Sequence, residues 1–305
     1  MGHAHHHDHD HSGTASTTPA FAIGVALNAA FVVVEAAFGF WAGSLALLAD
    51  AGHNLSDVLG LLLAWGASYL ACQRPSRRRT YGLRRSSIMA ALANALLLLA
   101  AVGAIVWEAI GRLIQPTPAA PVPVIVVAGI GVAVNTLTAL LFLRGRHHDL
   151  NVRGAFLHMA ADAAVSLGVV VAGIVIAFTG WQRVDPLLSL LIAGVIAWST
   201  WDLLWQAVNL SLDAVPRGID PAAVRAYLAA LPGVSEVHDL HIWGLSTTES
   251  ALTVHLIKPG AALDDDWLAA VSHELHDRFG IGHATIQVES GAGSQSCRLA
   301  PEDVV

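Results

Sequence analysis

Cysteine is nearly missing from this chain. Cys72 and Cys297 are the only two in 305 residues, which excludes a disulfide framework and a cysteine-rich metal cluster. Charge is scarce too. Asp, Glu, Lys and Arg make up 13% of the residues, against 55% hydrophobic, and a soluble domain of this length has no need of so apolar a composition. The formal net charge is -7, and nothing in the charge pattern resembles a nucleic-acid footprint. The first nineteen residues are polar and lack the apolar core of a signal peptide.

What is there is hydrophobic length. Mean hydropathy is +0.59, and six apolar segments stand out at 21–40, 44–71, 86–114, 122–143, 152–178 and 184–210. Each approaches or exceeds the roughly 20 residues that cross a bilayer as a helix. The loop after the second segment carries Arg74, Arg77, Arg78, Arg79, Arg84 and Arg85, and the loop after the fourth carries Arg144, Arg146 and Arg153. The opposite-side loops hold only Arg112 and Arg183. The positive-inside rule then places both termini in the cytoplasm, and both cysteines in a reducing compartment. The compactness of the chain suggests a bacterial plasma membrane.

Two polar tracts flank this block. Residues 1–18 hold His3, His5, His6, His7, His9 and His11 with Asp8 and Asp10 between them. Such a tract cannot form a core and is expected to be a disordered tail, either collecting metal or dispensable. From Asp213 onward the chain turns acidic, with thirteen acids against five basic residues. There the pattern predicts a helix over 221–231, strands over 235–243 and 251–258, a helix over 264–279 and a strand over 285–289. The expected fold is a membrane all-α six-helix domain (19–212) followed by a small cytosolic α+β domain of order α-β-β-α-β (213–290), with a loose tail over 291–305. The thin core of the small domain favours pairing with a second copy.

Within the apolar segments, two matched pairs need a reason, because intramembrane charge is costly. His53 and Asp57 are four residues apart in the second segment, and His158 and Asp162 repeat that spacing in the fifth. On a helix each pair shares one face. Either the pairs fix helix packing by hydrogen bonds, or two imidazoles and two carboxylates form a tetrahedral divalent-metal site. A second pair doubles the desolvation cost for no added structural need, which favours the metal. The donors suit zinc, while Mg²⁺ and Ca²⁺ prefer all-oxygen sites; Mn²⁺, Fe²⁺, Co²⁺, Ni²⁺ and Cd²⁺ stay open. Asp50 precedes His53 by three residues and is expected to guide access or hydrogen-bond behind the ligands, with a carboxylate near the membrane surface as the alternative. Asn28, Glu35, Asn94 and Glu108 are expected to bond between helices or to sit at helix ends, and Asp185 to cap the sixth helix.

The acidic domain carries His238, His241, His255, His273, His276 and His283. His238 and His255 fall on predicted adjacent strands, and His283 and Glu289 flank the last one, so N and O donors could converge on a metal there. Surface and interface histidines are the alternative. His273-Glu274-Leu275-His276 has the wrong spacing for a zinc protease, and nothing else points to an enzyme. His147-His148-Asp149 is expected to be a solvated loop, with a minor surface site as the alternative.

These residues resemble a family. Ser44-Leu45-Ala46-Leu47-Leu48-Ala49-Asp50-Ala51-Gly52-His53, continuing to Asp57, is similar to the second membrane helix of the cation diffusion facilitator zinc transporters. Tyr81-Gly82-Leu83-Arg84-Arg85 resembles the start of the third helix, His158-Met159-Ala160-Ala161-Asp162-Ala163 the fifth, and Val184-Asp185-Pro186 the start of the sixth. His238-Asp239-Leu240-His241-Ile242-Trp243 and Ala284-Thr285-Ile286-Gln287-Val288-Glu289 resemble the cytosolic domain. The resemblance implies a homodimer that exports a divalent metal, Zn²⁺ for the His-Asp/His-Asp version, in exchange for protons. It places the transport site on His53, Asp57, His158 and Asp162. It also implies a cytosolic site at His238, His255 and Glu289, with His283 close to a further position, and an ion pair between Arg85 and Asp213. A membrane sensor that binds metal without moving it is the rival reading. Paired membrane histidines could also hold haem, but the matched Asp partners are not needed for that.

Overall fold

A computed structural model describes residues 19–71, 73–142, 150–260 and 265–291. The His-rich tail, both cysteines, His147-His148-Asp149 and the C-terminal tail lie outside the described residues. Six long helices come first: α1 (Pro19–Ala42), α2 (Leu45–Ala71), α3 (Ser86–Ile114), α4 (Pro121–Phe142), α5 (Leu150–Thr179) and α6 (Val184–Ser211). They run from 22 to 30 residues, or about 33–45 Å at 1.5 Å per residue, enough to cross a bilayer core. Among the described residues, α3 and α6 over their whole length, and 121–140 of α4 and 159–179 of α5, are apolar enough to do so. Their outer faces are greasy. Phe40, Trp107, Phe178 and Trp198 are each more than 80% exposed, a liability in water and a requirement in lipid.

The chain divides into two compact units, residues 1–58 with 101–196 and residues 59–100 with 197–305. In the first, α4 and α5 run antiparallel in close contact, and glycine makes the contact possible. A β-carbon on Gly131 would lie 2.7 Å from the Phe31 ring and 3.1 Å from Ser166 Oγ, and one on Gly173 would lie 2.7 Å from Ile125. Small residues of this kind let membrane helices approach where no hydrophobic effect drives them together.

The start of α2 is held from an unexpected place. Asp185, 2% exposed, accepts hydrogen bonds from Ser44 Oγ (2.5 Å), the Leu45 amide (2.7 Å) and the Ala46 amide (3.3 Å). Its carboxylate therefore caps α2, not α6 as its position in sequence suggests. A carboxylate at a helix N-terminus satisfies orphan amides and complements the dipole. Arg112 donates to the Gly43 carbonyl at the same end.

In the second unit, α7 (Pro221–Ala229), β1 (Glu236–Gly244), β2 (Ser250–Ile257), α8 (Asp265–Phe279) and β3 (Ile281–Glu289) follow in the expected α-β-β-α-β order. Asp220 caps α7 by accepting from the Ala222 amide at 2.9 Å, with Pro221 in the first turn. The sheet order is β1-β2-β3, antiparallel between β1 and β2 and parallel between β2 and β3. Val224 and Leu228 of α7 and Val271 and Leu275 of α8 pack on Leu252, Val254 and Leu256 of the central strand. The third strand begins at Ile281, four residues earlier than its sequence pattern suggests. Gly280, at φ 69°, ends α8 abruptly, and Ile281 is buried in the core.

Candidate metal centres

The first unit carries a buried polar cluster in an otherwise apolar helix pack. His53 Nε2 of α2 lies 3.2 Å from Asp162 Oδ1 of α5. One turn along, Ser166 Oγ of α5 donates to Asp50 Oδ2 of α2 at 2.9 Å. Moving back three residues on α2 moves forward four on α5, so the two helices run antiparallel. That register sets positions 57 and 158 opposite each other. The side chains of Asp57 and His158 lie outside the described residues. The spacing between His53 and Asp162 matters chemically. A tetrahedral zinc with bonds of about 2.0–2.1 Å separates two of its ligand atoms by about 3.3 Å. The imidazole and the carboxylate already stand at that separation, with His53 23% exposed and Asp162 1% exposed.

Asp50 is fully buried, which fits a place behind His53 and not the membrane surface. Glu35 of α1 is equally buried and accepts from Asn54 Nδ2 at 3.2 Å, the interhelix bond expected of it. Glu108 pairs with Arg112 one turn on, at 3.0 Å, while the Asn28 side chain lies outside the described residues. Ser166 was legible only through its spacing, four residues after Asp162 on the same helix face.

The second unit gathers His238, His255 and Glu289 on three adjacent strands, with one donor atom from each within 4.8 Å of the others. The register explains it. His238 faces His255 across the antiparallel pair, and Glu289 lies two residues beyond Gln287, the parallel partner of His255. Glu289 Oε1 is 3.2 Å from His255 Nδ1 and 3.7 Å from His238 Nε2. His238 is 4% exposed, and neither of its ring nitrogens makes a hydrogen bond among the described residues. Two further groups face this cluster. Asp239 sits in the left-handed region at φ 49°, at a break in register between His238 and His241. Its carboxylate contacts His255 Nε2 at 3.3 Å and His241 Nε2 at 2.8 Å. Gln287 Nε2 donates to Glu289 at 2.9 Å. Asp239 leaves no periodic signal because a bulge turns it toward its neighbours, and Gln287 is brought to the cluster only by the register of β3 on β2.

His283 is a correction. It pairs with Ala251, four residues along β3 from Gln287, or about 13 Å at the rise of a strand. It stacks edge-on against Tyr81 instead, with ring centroids 5.4 Å apart. Arg85 Nη2 and Asp213 Oδ1 form an ion pair, and Arg84 Nη1 bonds Glu249 Oε2 at 2.6 Å. Both pairs are about half exposed.

Comparison with known proteins bears on the whole chain. Residues 21–210 match the cation efflux transmembrane domain, and residues 216–291 match the cytoplasmic domain of cation efflux proteins. The metal cation efflux system protein CzcD of Cupriavidus metallidurans is 37% identical over 268 residues, 88% of this chain and 85% of that protein. The zinc transporter ZitB of Escherichia coli is 37% identical over 271 residues, 88% and 86% respectively. A cadmium, cobalt and zinc/H(+)-K(+) antiporter of Bacillus velezensis is 34% identical over 297 residues, 96% and 93%. A solved metal-bound C-terminal domain of the CzcD transporter is 40% identical, covers 23% of this chain and 99% of its own, and gives a TM-score of 0.22. With both domains matched in order and relatives aligned over most of their length, this multi-pass membrane protein belongs to the cation diffusion facilitator family of cation efflux transporters.

Proposed function

We propose that the protein exports Zn²⁺ from the cytosol by exchange for protons, through a four-ligand site of His53, Asp57, His158 and Asp162. The observation that carries this reading is the 3.2 Å approach of His53 on α2 to Asp162 on α5. Ligand chemistry supports the coupling. Zinc takes neutral imidazole and ionised carboxylate, so binding expels protons, and protons compete for the same atoms when the site opens to a more acidic medium. Two ligands from each of two helices can part as those helices move. The order of the arginine-rich loops supports cytoplasmic termini, and the bacterial source of the relatives above supports the plasma membrane. The function is transport and not catalysis.

The division into a membrane domain at 19–212 and a cytosolic domain at 213–290 belongs to the same proposal. The small domain pairs with its copy in a homodimer, and His238, His255 and Glu289 bind Zn²⁺ there as a regulatory ion, with Asp239 beside them. Arg85 and Asp213 join the start of α3 to the end of α6. Co²⁺ or Cd²⁺ is the second reading for the cargo, since a relative's name includes both. The test is metal-driven proton flux in proteoliposomes loaded with a pH dye. Zinc addition is expected to move protons in the opposite direction to the metal. Zinc binding without flux would instead make the protein a sensor.

A further inference from the structure

The buried stripe of α4 contains one residue that neither the fold nor the proposed site accounts for. Asn135 is fully buried, and neither Nδ2 nor Oδ1 of its side chain has a hydrogen-bond partner among the described residues. An amide buried in this way is a net cost to the folded state unless another state satisfies it. Its neighbours on the same face, Val124, Ala128 and Gly131, are apolar or small, and the hydroxyl of Thr138, the polar neighbour, donates to the Val134 carbonyl at 2.8 Å.

The packing of α4 on α5 says what Asn135 faces. Gly173 of α5 meets Ile125 of α4, and Ser166 of α5 meets Gly131 of α4. The two crossings fix one antiparallel register. One turn on from Gly131 along α4 is Asn135, and one turn back from Ser166 along α5 is Asp162. The two polar residues therefore stand at one level of the α4–α5 interface. Asp162 is the carboxylate whose Oδ1 lies beside His53.

We infer that Asn135 is a positioning residue for the transport site. It donates its Nδ2–H to the Asp162 oxygen that the metal does not take. This rests on the assignment of Asp162 as a ligand. In the present geometry Asp162 turns toward His53. When an ion sits between them, the carboxylate rotates to aim a lone pair at the metal, and its second oxygen turns toward the α4 level. Ligating carboxylates are normally hydrogen-bonded in this way, which fixes their orientation and their basicity. The amide is neutral, so it can hold the carboxylate without competing as a cation for the site.

The experiment is zinc transport by the full-length protein in proteoliposomes, with thermal unfolding in zinc-free detergent measured on the same variants. Asn135→Leu removes the orphan amide at similar volume. It is expected to unfold at or above the parental temperature while the KM for zinc rises about 10- to 100-fold and kcat changes little. Asn135→Ser keeps a shorter donor and is expected to raise KM less. A parental KM in Asn135→Leu overturns the proposal. Should that variant fail to fold, Asn135→Ser decides by the same measurement, and an unchanged KM there also overturns it. Asp162→Asn separates the two layers. Parental transport in Asp162→Asn overturns the site and the role of Asn135 together, whereas loss there beside a parental KM in Asn135→Leu overturns the role of Asn135 alone.

Discussion

The two donor clusters use similar atoms and differ in what can move. In the first unit the donors stand on α2 and α5, separate helices joined by side-chain contacts. In the second they stand on β1, β2 and β3, neighbouring strands of one sheet joined by backbone pairing. Helices can slide or tilt against each other without breaking their own ladders, so ligands on them can open. Strands of one sheet keep their register, so ligands on them stay together. The helix-borne cluster suits an ion that must leave. The sheet-borne cluster suits one that stays.

That contrast can be broken. Asp162→Ala should cut zinc-driven proton flux by about 100-fold or more, beyond the loss typical of groups behind a ligand, while zinc binding to the soluble domain persists in equilibrium titrations. Loss of both together would mean the two clusters are not separate sites. His238→Ala combined with His255→Ala should do the reverse. One class of bound zinc disappears by calorimetry, and flux at low zinc falls by about 10-fold, the scale of ordinary allosteric coupling. Flux abolished at saturating zinc would make the sheet cluster part of the transport path. Exchanging imidazole for carboxylate in His53→Asp should lower the zinc-to-cadmium transport ratio by about fivefold, and an unchanged ratio refutes donor type as the source of selectivity. Asp185→Ala, which uncaps α2, should destabilise by about 1–2 kcal/mol and shows in detergent melts. Smallest of all, His283→Ala should leave zinc binding by the soluble domain unchanged, because that ring packs on Tyr81 and not on the cluster.

The two regions also differed in how far the sequence could be followed. A helix puts residues four apart on one face whatever surrounds them, so His53 with Asp57 and His158 with Asp162 were visible as pairs from spacing alone. A sheet site depends on which strand residues fall opposite each other, and that register is not local. His238 and His255 were placed on neighbouring strands, but His283 was grouped with them because the early start of β3 at Ile281 leaves no β pattern. Asp239 escaped because its bulge follows from sheet pairing. Within the membrane, Asp185 was assigned to the wrong helix, since a cap taken from 140 residues away in sequence has no local signature. Asn135 carries no local signal, standing beside Thr136 and Thr138 in an apolar helix with no ionisable partner at helical spacing.

The cap on α2 has a mechanical consequence. Asp185 pins the first turn of that helix, so any tilt of α2 would pivot near Leu45. His53 stands eight residues along, about 12 Å from the pivot at 1.5 Å per residue. A tilt of about 10° about that end carries the imidazole through roughly 2 Å, ten times the tolerance of about 0.2 Å that a metal bond allows. Asp57, farther out on the arm, travels farther still. A small angular change about the capped end of α2 would therefore be enough to part His53 from a metal bound between it and Asp162.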